Sequence, residues 1–242
     1  MFVAARHGTR ARATMSPMHT YEVELKSLLG TKEKADALRD AMLRLDPEAK
    51  QAAHSSQLNH YFEGGNLEAL AESVARRCLS EEKCIQFEDL AKNAKTFSVR
   101  TRQKDTGVYL VIKAAIDDTT SENGIARIEL DEKVDIPLDA LDALILGSGF
   151  SYQAKWSRDR DEYIYRGLNV CLDRNAGYGW LAEFEKIVHA EADTEPARQE
   201  ILARMQELGI EELPQDRLER MFAFYNAHWE EYYGTDKTFT VA

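Results

Sequence analysis

Cysteine is scarce: Cys78, Cys84 and Cys171 are the only ones in 242 residues. An odd number without Cys-x-x-Cys spacing excludes a disulfide framework and points to reduced thiols in a cytoplasmic setting. The six histidines are scattered, and none pairs with cysteine at ligand spacing, so a structural zinc site is excluded. No stretch reaches the roughly 20 apolar residues that a membrane span needs. The longest apolar-leaning run, Leu138 to Phe150, is broken by Asp139, Asp142 and glycines. A basic excess is also missing: 31 Lys and Arg stand against 42 Asp and Glu, a net charge of −11. That balance argues against a nucleic-acid partner, and leaves room for a small anionic ligand gripped by a local basic cluster. Neither a solenoid repeat nor a low-complexity tract is found, and 44% apolar with 30% charged residues reads as a soluble globular chain.

What is present is charge at a period of two. In Tyr21-Glu-Val-Glu-Leu-Lys26, residues two apart share a strand face, so Glu22, Glu24 and Lys26 lie together opposite Tyr21, Val23 and Leu25. Alone, this pattern reads as a solvated strand face or as a seat for a hard cation beside an anionic ligand. The pattern returns. Acids pair at Glu183-x-Glu185 and follow Arg127 at Glu129 and Asp131, while bases pair at Arg100-x-Arg102 and Arg158-x-Arg160, and Lys113 ends an apolar run. Wet faces do not sort acids onto some strands and bases onto others. A closed barrel with a charged interior does.

Periodicity and turn signals place strands at about 20–28, 57–63, 96–103, 107–116, 124–134, 151–159, 162–165 with 168–173, and 179–190. Asp105-Thr-Gly107 marks a hairpin. Helices are expected at 31–45, 67–79, 138–146, 195–208 and 215–233, with a helical turn near 87–90 and with Cys78 and Cys84 on one helix. The order predicts an α+β fold around a meandering barrel. Residues 1–18, acid-poor and carrying Arg6, Arg10 and Arg12, read as a disordered N-terminal extension or as residues ahead of a start at Met15 or Met18. A tunnel domain over 19–190 and C-terminal helices over 191–242 complete the expected organisation.

The ordered set Glu22-x-Glu24-x-Lys26, Arg100-x-Arg102, Lys113, Arg127-x-Glu129, Arg158-x-Arg160, Asp173 and Glu183-x-Glu185 resembles the CYTH proteins, or triphosphate tunnel metalloenzymes. That family includes class IV adenylyl cyclases, thiamine triphosphatases and inorganic triphosphatases. The resemblance covers about residues 20 to 190. It implies an eight-stranded antiparallel β-tunnel with a charged lumen, flanked by helices. It further implies that Glu22, Glu24, Glu129, Asp173, Glu183 and Glu185 face a metal, Mg²⁺ or Mn²⁺. Lys26, Arg100, Arg102, Lys113, Arg127, Arg158 and Arg160 would face phosphate, with Glu22, Glu24 and Lys26 at the catalytic centre. Arg158 stands where relatives often carry lysine, with Lys155 as an alternative, and Asp131 and Glu132 both fit the acid near the end of the fifth strand.

The chemistry suits these residue types. Arginines grip phosphate oxygens through paired N–H groups, and a magnesium ion takes few carboxylates while keeping substrate oxygens and water. The expected activity is metal-dependent hydrolysis of inorganic, thiamine or nucleoside triphosphate. The alternatives are cyclisation of ATP to cyclic AMP and non-catalytic binding of phosphorylated ligands. The expected partner is a small triphosphate, with no nucleic acid or membrane, and a homodimer is the one assembly considered. Trp156, Trp180 and Trp229 read as packing residues, His60 as a surface or satisfied core histidine, and the stripe Met221 to Tyr233 as core or as a plug at one tunnel mouth.

Overall fold

The alternation at Tyr21–Lys26 extends across an entire sheet in the computed structural model. The structure describes residues 21–115 and 127–241, with side chains except at positions 75, 76, 115, 127–129 and 191. The N-terminal extension expected over 1–18 lies outside the described residues. The strands are β1 (Tyr21–Gly30), β2 (Lys50–Gly64), β3 (Thr96–Lys104), β4 (Gly107–Ala115), β5 (Arg127–Val134), β6 (Phe150–Tyr165), β7 (Leu168–Asn175) and β8 (Gly179–Val188). They form one antiparallel sheet in the order β1-β8-β7-β6-β2-β3-β4-β5.

Register carries one polar face through all eight strands, because directly opposed residues in an antiparallel ladder share a face. Glu24 lies opposite Glu185, and Lys26 opposite Glu183. On β7, Asp173 faces Arg160 of β6 and Asn175 faces Arg158. Trp156 then faces Asn59 of β2, which faces Arg102 of β3. Lys113 of β4 lies opposite Ser98 on one side and Glu129 on the other. Glu22 of β1 and Lys113 of β4 line the same cavity, so the sheet curls around this face.

The helices pack on two apolar cores of the outer face, and the last of them reaches the inner face at Trp156. They are α1 (Lys32–Leu45), α2 (Leu67–Cys78), α3 (Glu81–Asn93), α4 (Leu138–Gly147), α5 (Thr194–Glu207) and α6 (Gln215–Tyr232). Thr31 caps α1 by accepting from the Lys34 amide, and Ala35, Leu38 and Met42 bury one stripe. That stripe, with Ile201 and Met205 of α5, packs on Leu25, Val170, Leu172 and Phe184 of the sheet. A second core joins α2, α3 and α4 to Val99, Leu110, Ile112 and Leu130. α6 lies against β6, and Trp156 stacks on Tyr225 at 3.8 Å between ring centres.

Three expectations change. β2 begins at Lys50 and β6 runs unbroken to Tyr165, because residues 50–57 and 157–164 pair with each other and carry polar groups on both faces. Ser56 donates to Asp159 at 2.6 Å, and Gln51 to Asp161 at 2.8 Å, so neutral polar residues of β2 satisfy the outer carboxylates of β6 across the ladder. The turn near 87–90 is a full helix, α3, capped by Ser80 and buried through Phe87, Leu90 and Ala91. That cap separates Cys78 on α2 from Cys84 on α3.

Candidate functional site

The inner face surrounds a cavity of about 550 Å³. Glu22, Glu24, Lys26 and Glu183 line it from β1 and β8, and Arg100, Arg102 and Lys113 from β3 and β4. Arg158 and Arg160 line it from β6, while Leu218, Phe222 and Asn226 of α6 close part of it.

The basic side is held by carboxylates. Asp173 is 0% exposed, and both its oxygens are used: Arg160 donates to them at 2.7 and 2.6 Å, and Arg158 at 2.8 Å. Arg158 also donates to Gln57 at 3.0 Å, so its planar fork bridges two strands in a way that a lysine ammonium does poorly. Arg160 and Glu183 form a short ion pair, and Lys26 lies 3.4 Å from Glu183. Burial pushes the Glu183 carboxyl up, but Lys26, Arg160 and Arg158 outweigh it and hold the group at about 2. On the facing wall, Arg100 donates to the Tyr61 hydroxyl at 3.0 Å and lies over that ring. Arg102 pairs with Asp131 and lies over Tyr109.

The acidic corner differs. Glu24 pairs with Lys26, whereas Glu22 has no ion pair among the described residues. Glu185 is held above the ordinary carboxylate range, first by burial and then by the charge of Glu22, while Asn169 donates to it at 3.3 Å. A carboxylate held up by the charge of a second one marks an excess of negative charge. Among the described residues no three acids, histidines or cysteines are drawn into a ready ligand set. A magnesium-type ion needs only one or two protein carboxylates, and Glu22 and Glu185, whose charges act on each other, offer oxygen donors of that kind.

The structure sorts the remaining sequence candidates. Asp173 sits among arginines, with both its oxygens occupied by Arg158 and Arg160. Asp131 is on the inner face with Arg102, while Glu132 is on the other face with Lys83. Lys155 does not line the cavity. It lies on the outer face opposite His60, with its ammonium 4.0 Å from the centre of the Tyr152 ring. Arg127 and Glu129 occupy β5, with Glu129 in register with Lys113, and their side chains lie outside the described residues. His60 is a satisfied core histidine between Asp142 at 2.6 Å and the Tyr233 hydroxyl at 2.7 Å. Asn59, Asn175 and Tyr178 also line the cavity. Sequence reasoning passed over them because neutral polar residues carry no charge period. Cys171 is on the inner face, and burial pushes its thiol up to about 12.

Residues 20–217 match the family model described as the CYTH domain. No curated protein sequence matches the chain. Among solved structures, it is similar to PH1819 from Pyrococcus horikoshii, at 18% identity and a TM-score of 0.55, over 84% of this chain and 99% of that one. A protein of Vibrio parahaemolyticus named as a candidate adenylate cyclase is 13% identical, with a TM-score of 0.54, over 84% and 98% of the two chains. PH1012 from Pyrococcus horikoshii is 18% identical, with a TM-score of 0.52, over 78% and 91%.

Proposed function

The chain belongs to the CYTH family, and we propose that it is a divalent-metal-dependent hydrolase of a triphosphate-containing substrate. The observation that carries this reading is the division of a single cavity. Carboxylates from β1 and β8 line one side, and Arg100, Arg102, Lys113, Arg158 and Arg160 reach in from the others.

In this reading Arg100 and Arg102 clamp the phosphate chain from β3, and their fixed forks orient it. Arg158 and Arg160 complete the grip from β6, held in place by Asp173. Lys26 adds a point charge between the two walls, poised by Glu24 and Glu183. Glu22, Glu24 and Glu185 would hold Mg²⁺ or Mn²⁺, which when bound neutralises charge on the reacting phosphoryl group and lowers the pKa of water. The curled sheet limits water around the phosphates, which strengthens each ionic contact. A cytoplasmic setting belongs to the same proposal, in keeping with three free cysteines and with no helix, among the described residues, long and apolar enough to cross a membrane.

The test is a release assay with inorganic triphosphate, thiamine triphosphate and ATP, each with Mg²⁺ and with Mn²⁺. Orthophosphate release that stops on chelation is expected. Pyrophosphate with cyclic AMP would assign cyclisation instead, and binding without turnover would leave a receptor.

A further inference from the structure

A second cavity, of about 450 Å³, lies where β1, α1 and the connection from α5 to α6 meet, and it shares no lining residue with the charged one. Its walls are largely apolar: Leu29 of β1, Leu38 of α1, and Leu208, Ile210 and Leu213 of the connection. Leu29, Leu38 and Leu213 are buried. The Leu213 amide donates to the Lys26 carbonyl at 2.7 Å, which ties the connection to the edge of β1 that does not pair with β8. The apolar walls are therefore held in place before any ligand arrives, as in most small-molecule sites.

Two cations stand at this apolar space without an anion. Lys34 and Arg217 line it, and neither has an ion pair among the described residues. The Nε of Arg217 is buried and has no hydrogen-bond partner. Water reaches the exposed Lys34 ammonium but not that N–H. A shielded donor on a charged group costs free energy until an acceptor meets it, and an oxyanion is the acceptor that a guanidinium binds best. Lys34 also sits in the first turn of α1, where a cation opposes the helix dipole, and α6 begins at the same wall with no side-chain cap. Two acids line the cavity as well. Glu212 is already held by Arg198 at 2.9 and 3.1 Å. Glu211 is exposed and has no ion pair among the described residues. Two unpaired cations against one unpaired acid leave a surplus of positive charge.

An apolar space with a small positive surplus selects its ligand by two features. A small inorganic anion would leave the aliphatic walls wet, and a doubly charged phosphate ester would overshoot the surplus beside Glu211. A neutral apolar molecule would leave the guanidinium unanswered. We propose that this cavity is a second ligand site, which takes a monocarboxylate with an apolar tail. Its oxygens meet Arg217 and Lys34, and its chain lies along Leu38, Leu208 and Ile210. The proposal does not depend on the triphosphate reading, since no residue of the charged cavity takes part.

Calorimetric titration of the full chain with octanoate, 1-octanol and acetate tests it. Octanoate carries both the charge and the tail, and each of the other probes carries one. Octanoate should bind at least about tenfold more tightly than either, because a charge-assisted hydrogen bond and a run of buried methylenes are each worth that much. Arg217→Gln should weaken octanoate about tenfold and leave octanol unchanged. Ala37→Trp, at an exposed position of α1 that lines the cavity, should abolish octanoate binding by filling the space. Arg102→Ala, in the charged cavity, should leave octanoate binding as it is. In the wild type alone, absent octanoate binding, or binding no tighter than that of octanol, overturns the site whether or not the variants fold. Octanoate binding that survives Ala37→Trp, or that is lost in folded Arg102→Ala, overturns it as well.

Discussion

At the scale of single residues, the arginines divide into two kinds. Arg160 is mostly buried between Asp173 and Glu183 and is paired with both. Removing it takes from buried Asp173 and Glu183 the base that pairs with both, and leaves Arg158 and Lys26 alone to offset their charge. Arg160→Ala should therefore cost about 3–5 kcal/mol of folding stability in urea denaturation. Arg102 is more exposed, as is its partner Asp131. Arg102→Ala should cost no more than about 1 kcal/mol, yet weaken triphosphate binding far more than monophosphate binding in calorimetric titration. Equal losses of stability in the two variants would contradict this division of labour. Arg100, Arg102, Arg158 and Arg160 were legible in the sequence because each sits in a doublet at the strand period. Asn59, Asn175 and Tyr178 were not, since neutral polar residues carry no charge period and only packing brings them to the cavity.

At the scale of elements, α6 is fastened to the barrel by a buried polar knot. Asp142 of α4 accepts from Thr101 and Tyr152 at 2.8 Å each and bonds His60, which reaches Tyr233 at the end of α6. Burial pushes the Asp142 carboxyl up, but His60, Tyr152 and Thr101 outweigh it and hold it below the ordinary 3.8. A depressed carboxylate stabilises the fold above its unfolded pKa and loses that contribution as pH falls below it. Thermal melts should thus drop below about pH 4. Asp142→Asn should cost about 1–3 kcal/mol near neutrality and flatten that acid limb. A limb just as steep in the variant would sink the assignment. The turn into β8 is a second constraint. Gly179 has φ +73°, and an added Cβ would meet the Gly30 carbonyl oxygen at 2.5 Å, so Gly179→Ala should lower the melting temperature by several degrees. The knot was hidden from sequence reading because His60 and Asp142 lie 82 positions apart. The continuity of β6 was hidden for another reason: Asp159-Arg160-Asp161-Glu162 is charged on both faces, so no apolar alternation announces a strand.

At the scale of the whole molecule, helices roof two apolar cores of the outer face and the curled sheet closes its charged inner face around one cavity. The barrel with a charged interior was readable because charge recurs at a period of two on strand after strand, and the eight-stranded tunnel followed from the family resemblance that this ordered set carries. In the structure the two signs already meet along β1, β6, β7 and β8, where Lys26, Arg158, Arg160, Asp173 and Glu183 neutralise one another. Glu22 and Glu185 stand outside that neutralised set, with Glu22 raising the proton affinity of Glu185. The central claim is that this acidic corner and the arginine wall act on one triphosphate. The most direct measurement compares wild type with Glu24→Gln, reading Mn²⁺ affinity and orthophosphate release together. The account predicts metal-dependent release by the wild type and, in a folded variant, weaker Mn²⁺ binding with release slowed on the order of a hundredfold. Unchanged Mn²⁺ affinity together with wild-type release would contradict it.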